Sequence, residues 1–197
     1  MSQRTVGILL FNEVEVLDFA GPFEVFSITT LHNSNDKLFN VSTISENGEL
    51  VTARNGLKVY PDYSFVNHPS FDIVIIPGGY GAEEIEISNP NVINWIKNQQ
   101  AKVEFMTSVC TGALLLAKAG ILDGKRATTH WMDLDRLEKE YSSVLVQRDT
   151  KFIDEGSIIT SGGISAGINM SFHLISRLHG IEVAKETAKR MEYDINL

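Results

Sequence analysis

Residues Phe71-Asp72-Ile73-Val74-Ile75-Ile76 run almost without a polar break into Pro77-Gly78-Gly79. A strand with one solvated face alternates apolar and polar side chains. A run that is apolar at successive positions predicts a strand covered on both faces, as in the middle of a parallel sheet. The Pro-Gly-Gly that follows ends it in a tight loop. Neighbouring segments fit the same plan: residues 5–11 read as a first strand and residues 39–45 as a second. Between them, residues 16–30 read as a helix with an apolar surface of Leu17, Phe19, Ala20, Phe23, Val25 and Phe26, and with Pro22 as a point where it can kink. Residues 50–65, interrupted by Asn55-Gly56, predict a short hairpin region.

The second half continues the alternation. Asn89-Pro90 is an N-cap and first-turn pair for a helix through Gln100, with Val92, Ile93 and Ile96 facing inward. Val103, Phe105 and Met106 complete a buried strand that leads through Thr107-Ser108-Val109-Cys110-Thr111-Gly112 into a helix ending at Gly120. Short strands are expected at residues 126–130, 144–146 and 152–160, the last split at Asp154-Glu155-Gly156, with a polar helix at 132–141. Ser161-Gly162-Gly163 leads into a helix through Leu178, and residues 181–193 form a final one. Strands alternating with helices predict a mostly parallel sheet covered on both faces, here as one domain over residues 1–197.

Composition narrows the function classes. The 197 residues are 43% hydrophobic and 21% charged, enough for one sizeable core. A net charge of −8 argues against nucleic-acid binding, which needs concentrated Lys and Arg. No apolar run approaches the ~20 residues of a membrane span. One cysteine excludes an intramolecular disulfide, and the N-terminus enters a strand without a secretory signal, so a cytoplasmic location is expected.

Ligands of such sheets bind beyond the carboxyl ends of the strands, where the Gly78-Gly79 and Cys110 loops lie. Cys110, just before a helix, would have its thiolate favoured by unpaired N–H groups and the macrodipole. Its bland alternative is a small buried hydrophobe. Asp18 lies in the apolar stretch Val16-Leu17-Asp18-Phe19-Ala20, as a helix N-cap or as an acid that shares a proton with Cys110. Thr111 is either a first-turn residue or a hydroxyl that orients that proton or a water. Gly78-Gly79 is either a plain turn or a place where backbone N–H groups approach a substrate atom gaining negative charge. His130 is either a hydrogen-bonded structural residue or a partner of the cysteine. No His or Cys spacing suggests a zinc site.

Five segments together resemble the ThiJ/PfpI superfamily, a cysteine-containing branch of the class I glutamine-amidotransferase-like fold. They are Leu17-Asp18-Phe19-Ala20-Gly21-Pro22, Ile76-Pro77-Gly78-Gly79, Thr107-Ser108-Val109-Cys110-Thr111-Gly112, residues 122–131, and residues 160–167. Within the superfamily the chain is most similar to isonitrile hydratases. The resemblance implies a flavodoxin-like three-layer sandwich with the nucleophile on a strand-to-helix turn. It implies Cys110 as nucleophile, Asp18 as acidic partner, Thr111 as a further hydroxyl, and Gly79 and His130 at the substrate pocket. It also implies a homodimer acting on a small molecule with no metal or organic cofactor. The peptidase-like members carry His after the nucleophile, where this chain has Thr111, which argues against a protease. Two other readings stay open: chemistry on small dicarbonyls, and ligand sensing without turnover, as in regulators that bear this domain. Those regulators continue into a DNA-binding helix-turn-helix region, whereas this chain stops at Leu197, which argues against direct transcriptional control.

Overall fold

The computed structural model describes residues 3–195. Strand β1 (Arg4–Leu9) leads into helix α1 (Val16–Ile28), which runs continuously through Pro22. Strand β2 (Phe39–Ser45) follows, and then the expected hairpin region resolves into two parts. Strands β3 (Val51–Thr52) and β4 (Lys58–Val59) pair antiparallel around a turn where Asn55 takes φ 61°, whereas β5 (Tyr63–Ser64) joins the main sheet parallel to β2. The predicted central strand is β6 (Ile73–Ile76), fully buried and paired parallel to β1 on one side. Helix α2 (Pro90–Gln100) starts as expected, with the Asn89 side chain accepting from the Asn91 N–H at 3.0 Å.

Strand β7 (Phe105–Ser108) flanks β6 on its other side and leads into α3 (Gly112–Lys118). The strand expected at 126–130 shrinks to β8 (Arg126–Ala127), because residues 131–133 already turn as a 3₁₀ segment ahead of α4 (Leu134–Glu140). Strand β8 pairs with β9 (Leu145–Val146) outside the main sheet. An antiparallel pair, β10 (Phe152–Asp154) and β11 (Ile158–Ser161), closes the sheet edge. Helices α5 (Ala166–His179) and α6 (Ile181–Arg190) complete the described chain.

The seven-stranded sheet has the order β10-β11-β7-β6-β1-β2-β5. Helices α1, α5 and α6 pack together against β1, β2, β10 and β11, while α2 and α3 pack against β6 and β7. This is the mostly parallel, flavodoxin-like α/β sandwich that the sequence predicts. The chain leaves β1 toward β2 and later returns to the opposite side of β1 with β6 and β7. Strand order therefore reverses beside β1, and ligands of open α/β sheets bind at such a switch point. The loops after β1, β6 and β7 meet there.

Their meeting demands glycine. A Cβ on Gly78 would lie 2.4 Å from the Thr111 backbone nitrogen, and one on Gly112 would lie 2.1 Å from the Ile76 carbonyl oxygen. Both obstacles are backbone, which has no rotamer to move. Gly112→Ala is expected to lower stability by about 1–3 kcal/mol, the range for overpacking a core. Gly162→Ala, whose added carbon meets nothing closer than 3.6 Å, is expected to stay within about 0.5 kcal/mol. Urea melts of the two variants against wild type check the contrast; equal midpoints would remove the steric argument.

Candidate active site

Cys110 occupies the turn between β7 and α3 with φ 54°, a left-handed conformation uncommon outside glycine. Its backbone is tied on both sides: its N–H donates to the Gly162 carbonyl at 3.1 Å, and its carbonyl accepts from the Thr129 hydroxyl at 2.8 Å. These bonds hold a backbone conformation that costs about 1–3 kcal/mol by itself. The residue is only 5% exposed.

Asp18 is the third residue of α1. The N-cap position belongs to Glu15, so Asp18 is not a cap. Its side chain is 0% exposed and faces the loop after β6, where Oδ2 accepts the Gly78 N–H at 2.9 Å. Among the described residues, no group closes a hydrogen bond of ordinary geometry on Oδ1. The Cys110 thiol and the Ile164 N–H still lie close enough to favour the carboxylate. Burial dominates, and with the nearby Glu15 charge it pushes the Asp18 carboxyl up to about 7 despite the Gly78 bond.

The same burial, reinforced by the Asp18 charge, pushes the Cys110 thiol well above the ordinary thiol range. Hydrogen bonds from Thr111 and Ile164 oppose this only in part. The expectation of a helix-activated thiolate is therefore corrected. Desolvation and a like charge outweigh a helix of only seven residues, and the two acidic groups retain a proton between them at neutral pH.

Thr111 lies against the thiol, and its Oγ1 accepts the Gly79 N–H at 2.9 Å. The Gly78 and Gly79 N–H groups thus serve Asp18 and Thr111. Gly79 is not a free donor for substrate in this structure, which corrects the expectation of backbone N–H groups waiting there. Its φ of 110° and its tight approach to Glu15 and Glu13 explain the glycine instead.

His130 is not a hydrogen-bonding partner of the cysteine. Its Nδ1 lies 3.6 Å from Asp133 Oδ2 and its ring packs on Gly163. It lines an open cleft of about 560 Å³ together with Trp131, Thr150, Lys151, Gly163 and Ile164. The cleft shares the 162–164 loop with the cysteine turn, because Gly162 and Ile164 bond to Cys110.

Two participants have no sequence signal of their own. Ile164 takes φ 54°, an outlier for a β-branched residue, and directs its N–H toward both Asp18 and Cys110. Glu15 adds negative charge one helical turn from Asp18. Ser161-Gly162-Gly163 attracts notice as a glycine pair, but nothing in its composition announces the strained residue that follows.

The chain is similar in sequence and in fold to known proteins. The DJ-1/PfpI family matches residues 4–177. The isonitrile hydratase of Pseudomonas putida is 34% identical over 95% of this chain and 78% of that protein. The HTH-type transcriptional regulator GbdR of Pseudomonas aeruginosa is 29% identical over 97% of this chain, which spans about half (51%) of the regulator. Among solved structures, a ThiJ/PfpI family protein from Pseudomonas syringae superposes with a TM-score of 0.88 at 24% identity, covering 100% of this chain and 78% of that one. Drosophila melanogaster DJ-1beta superposes with a TM-score of 0.82 at 20% identity, covering 98% of this chain and 100% of that one. By sequence match and by fold, the chain belongs to the DJ-1/PfpI family.

Proposed function

We propose that the protein is an isonitrile hydratase, converting an organic isonitrile R–NC to the formamide R–NH–CHO. The observation that carries this reading is the buried pair of Asp18 and Cys110, two acidic groups that retain a proton between them. An isonitrile carbon accepts a nucleophile and a proton at the same atom. In the first step the Cys110 sulfur bonds to that carbon, and the thiol proton passes through Asp18 to it, giving the thioimidate R–N=CH–S. Water then adds to the carbon while the nitrogen gains a proton. The C–S bond breaks, its electrons stay on sulfur, and the proton left from water returns to the pair.

A second observation favours isonitriles over dicarbonyls. Addition to a carbonyl develops an oxyanion that needs free, preorganised donors. At the loop after β6 the candidate donors are engaged internally. Thr111, beside the sulfur, would steady the thiolate as it leaves. The cleft bearing His130 and Trp131 would receive the organic group R. We further propose that the enzyme works in the cytoplasm as a homodimer. The family's regulators support one other reading, a sensor that binds such molecules without turnover.

Incubation of the protein with a panel of small isonitriles is expected to yield formamides, detected by NMR. Cys110→Ser is expected to lower turnover by roughly 10³-fold or more. Methylglyoxal conversion through Cys110 with no formamide from any isonitrile would replace the hydratase reading with dicarbonyl chemistry. Tight binding of an isonitrile without product would favour the sensor.

Asp18→Asn separates stability from activity. In wild type the folded carboxyl titrates near 7 against an ordinary value of 3.8, so the folded state binds the extra proton between those limits. Stability therefore falls as pH rises through that window, and the full cost is present above it. Asparagine cannot ionise and escapes the cost. The variant is expected to exceed wild type by about 2–4 kcal/mol at pH 8 and to lose the advantage near pH 4. Its turnover is expected to drop ~10²–10⁴-fold. Melts at both pH values, with formamide assays, check this; a pH-independent stability difference would contradict a raised Asp18 carboxyl.

A further inference from the structure

We propose that Glu15 and Arg54 form a charge pair that sets the pH at which Asp18 loses its proton, acting as positioning residues that do not touch the substrate. The proposal rests on the reading of Asp18 as proton carrier.

Glu15 is the N-cap of α1, three residues before Asp18, and its carbonyl accepts the Asp18 N–H at 3.2 Å. A single residue clamps both. The Gly78 carbonyl accepts the Glu15 N–H at 2.9 Å, and the Gly78 N–H donates to Asp18 Oδ2 at 2.9 Å. The next residue fixes the spacing, since a Cβ on Gly79 would lie 2.5 Å from the Glu15 nitrogen. The Glu15 side chain is 27% exposed, so water screens its charge only in part. Arg54 supplies the counter-charge. Its N–H donates to the Val14 carbonyl at 3.0 Å, anchoring it beside α1, and its Nε lies 3.8 Å from Glu15 Oε2.

The other neighbours of Asp18 leave this pair as the adjustable element. The cysteine turn contributes Cys110, whose thiol is already part of the proton pair. The loop after β6 and the 162–165 loop contribute the Gly78 and Ile164 N–H groups, which do not titrate. His130 packs on Gly163 and faces Asp133. Glu15 is the nearby anion that disfavours the Asp18 carboxylate, and Arg54, 3.8 Å from the Glu15 carboxylate, is placed to offset part of that effect. The pair becomes competent for addition when it holds one proton rather than two, so activity rises with pH through the Asp18 titration. Glu15 shifts that rise upward and Arg54 shifts it downward.

The test follows the Asp18 carboxyl by ¹³C NMR through a pH titration, alongside the pH profile of formamide production. It compares wild type with Glu15→Gln, Arg54→Gln and Glu15→Asp. Glu15→Gln is expected to lower both midpoints by about half to one pH unit, a modest shift because solvent screens a partly exposed charge. Arg54→Gln is expected to raise them by a few tenths of a unit, and Glu15→Asp to leave them near wild type. NMR midpoints unmoved in both charge-removing variants would overturn the pair even if formamide is produced. Midpoints that move as expected in a protein that hydrates no isonitrile would uphold the pair and overturn the proposed reaction.

Discussion

The contact between two backbones holds the candidate site together. Gly78 faces the Thr111 nitrogen, and Gly112 faces the Ile76 carbonyl, at distances that leave no room for a side chain on either glycine. This approach brings the end of β6 against the turn after β7. From it follow the two bonds that organise the chemistry, Gly78 N–H to Asp18 and Gly79 N–H to the Thr111 hydroxyl. A side chain wedged between these loops would separate the acid from the sulfur, and no alternative rotamer could restore the contact. The strain at Cys110 and Ile164 belongs to the same arrangement, since the 162–164 loop bonds to the cysteine's backbone and sulfur.

The energetic cost of the site lies in desolvation. A carboxyl with no solvent exposure and a thiol with almost none sit side by side. Burial raises the proton affinity of both, and the Asp18 charge raises that of the thiol further, while the thiol's hydrogen bond offsets part of the rise at Asp18. Such a pair destabilises the fold at neutral pH and in return retains a proton beside the Cys110 sulfur. That combination suits a reaction in which both are delivered to one carbon. It does little for chemistry that stabilises an oxyanion, because the nearby backbone donors are already engaged. The chain is similar both to an isonitrile hydratase and to a transcriptional regulator, so similarity leaves the reaction open. The environment of Asp18 and Cys110 is the basis for choosing among the readings.

Much of the architecture is legible along the chain. Continuous apolarity at 73–76 marks a strand buried on both faces, Asn89-Pro90 marks a helix start, and the apolar run before Cys110 puts that residue at a strand end. The marginal elements are less legible. Strand β5 contains two residues and is a strand because β2 offers it an edge, and β8 stops at Ala127 because the chain must turn toward α4. Their identity depends on partners far away in sequence.

The sequence by itself determined the strand and helix order, the glycines of the loop after β6, and the location of Cys110 between a strand and a helix. These depend on local periodicity, on backbone sterics and on capping, which act over a few residues. Only the tertiary structure decided that Asp18 is fully buried, that the thiol is pushed up rather than down, and that the Gly79 N–H serves Thr111. It also decided that Ile164 and Glu15 bear on the carboxyl. Proton affinity is a sum over desolvation, charges and hydrogen bonds supplied by four separate loops and helices. No stretch of sequence contains that sum until the chain has folded.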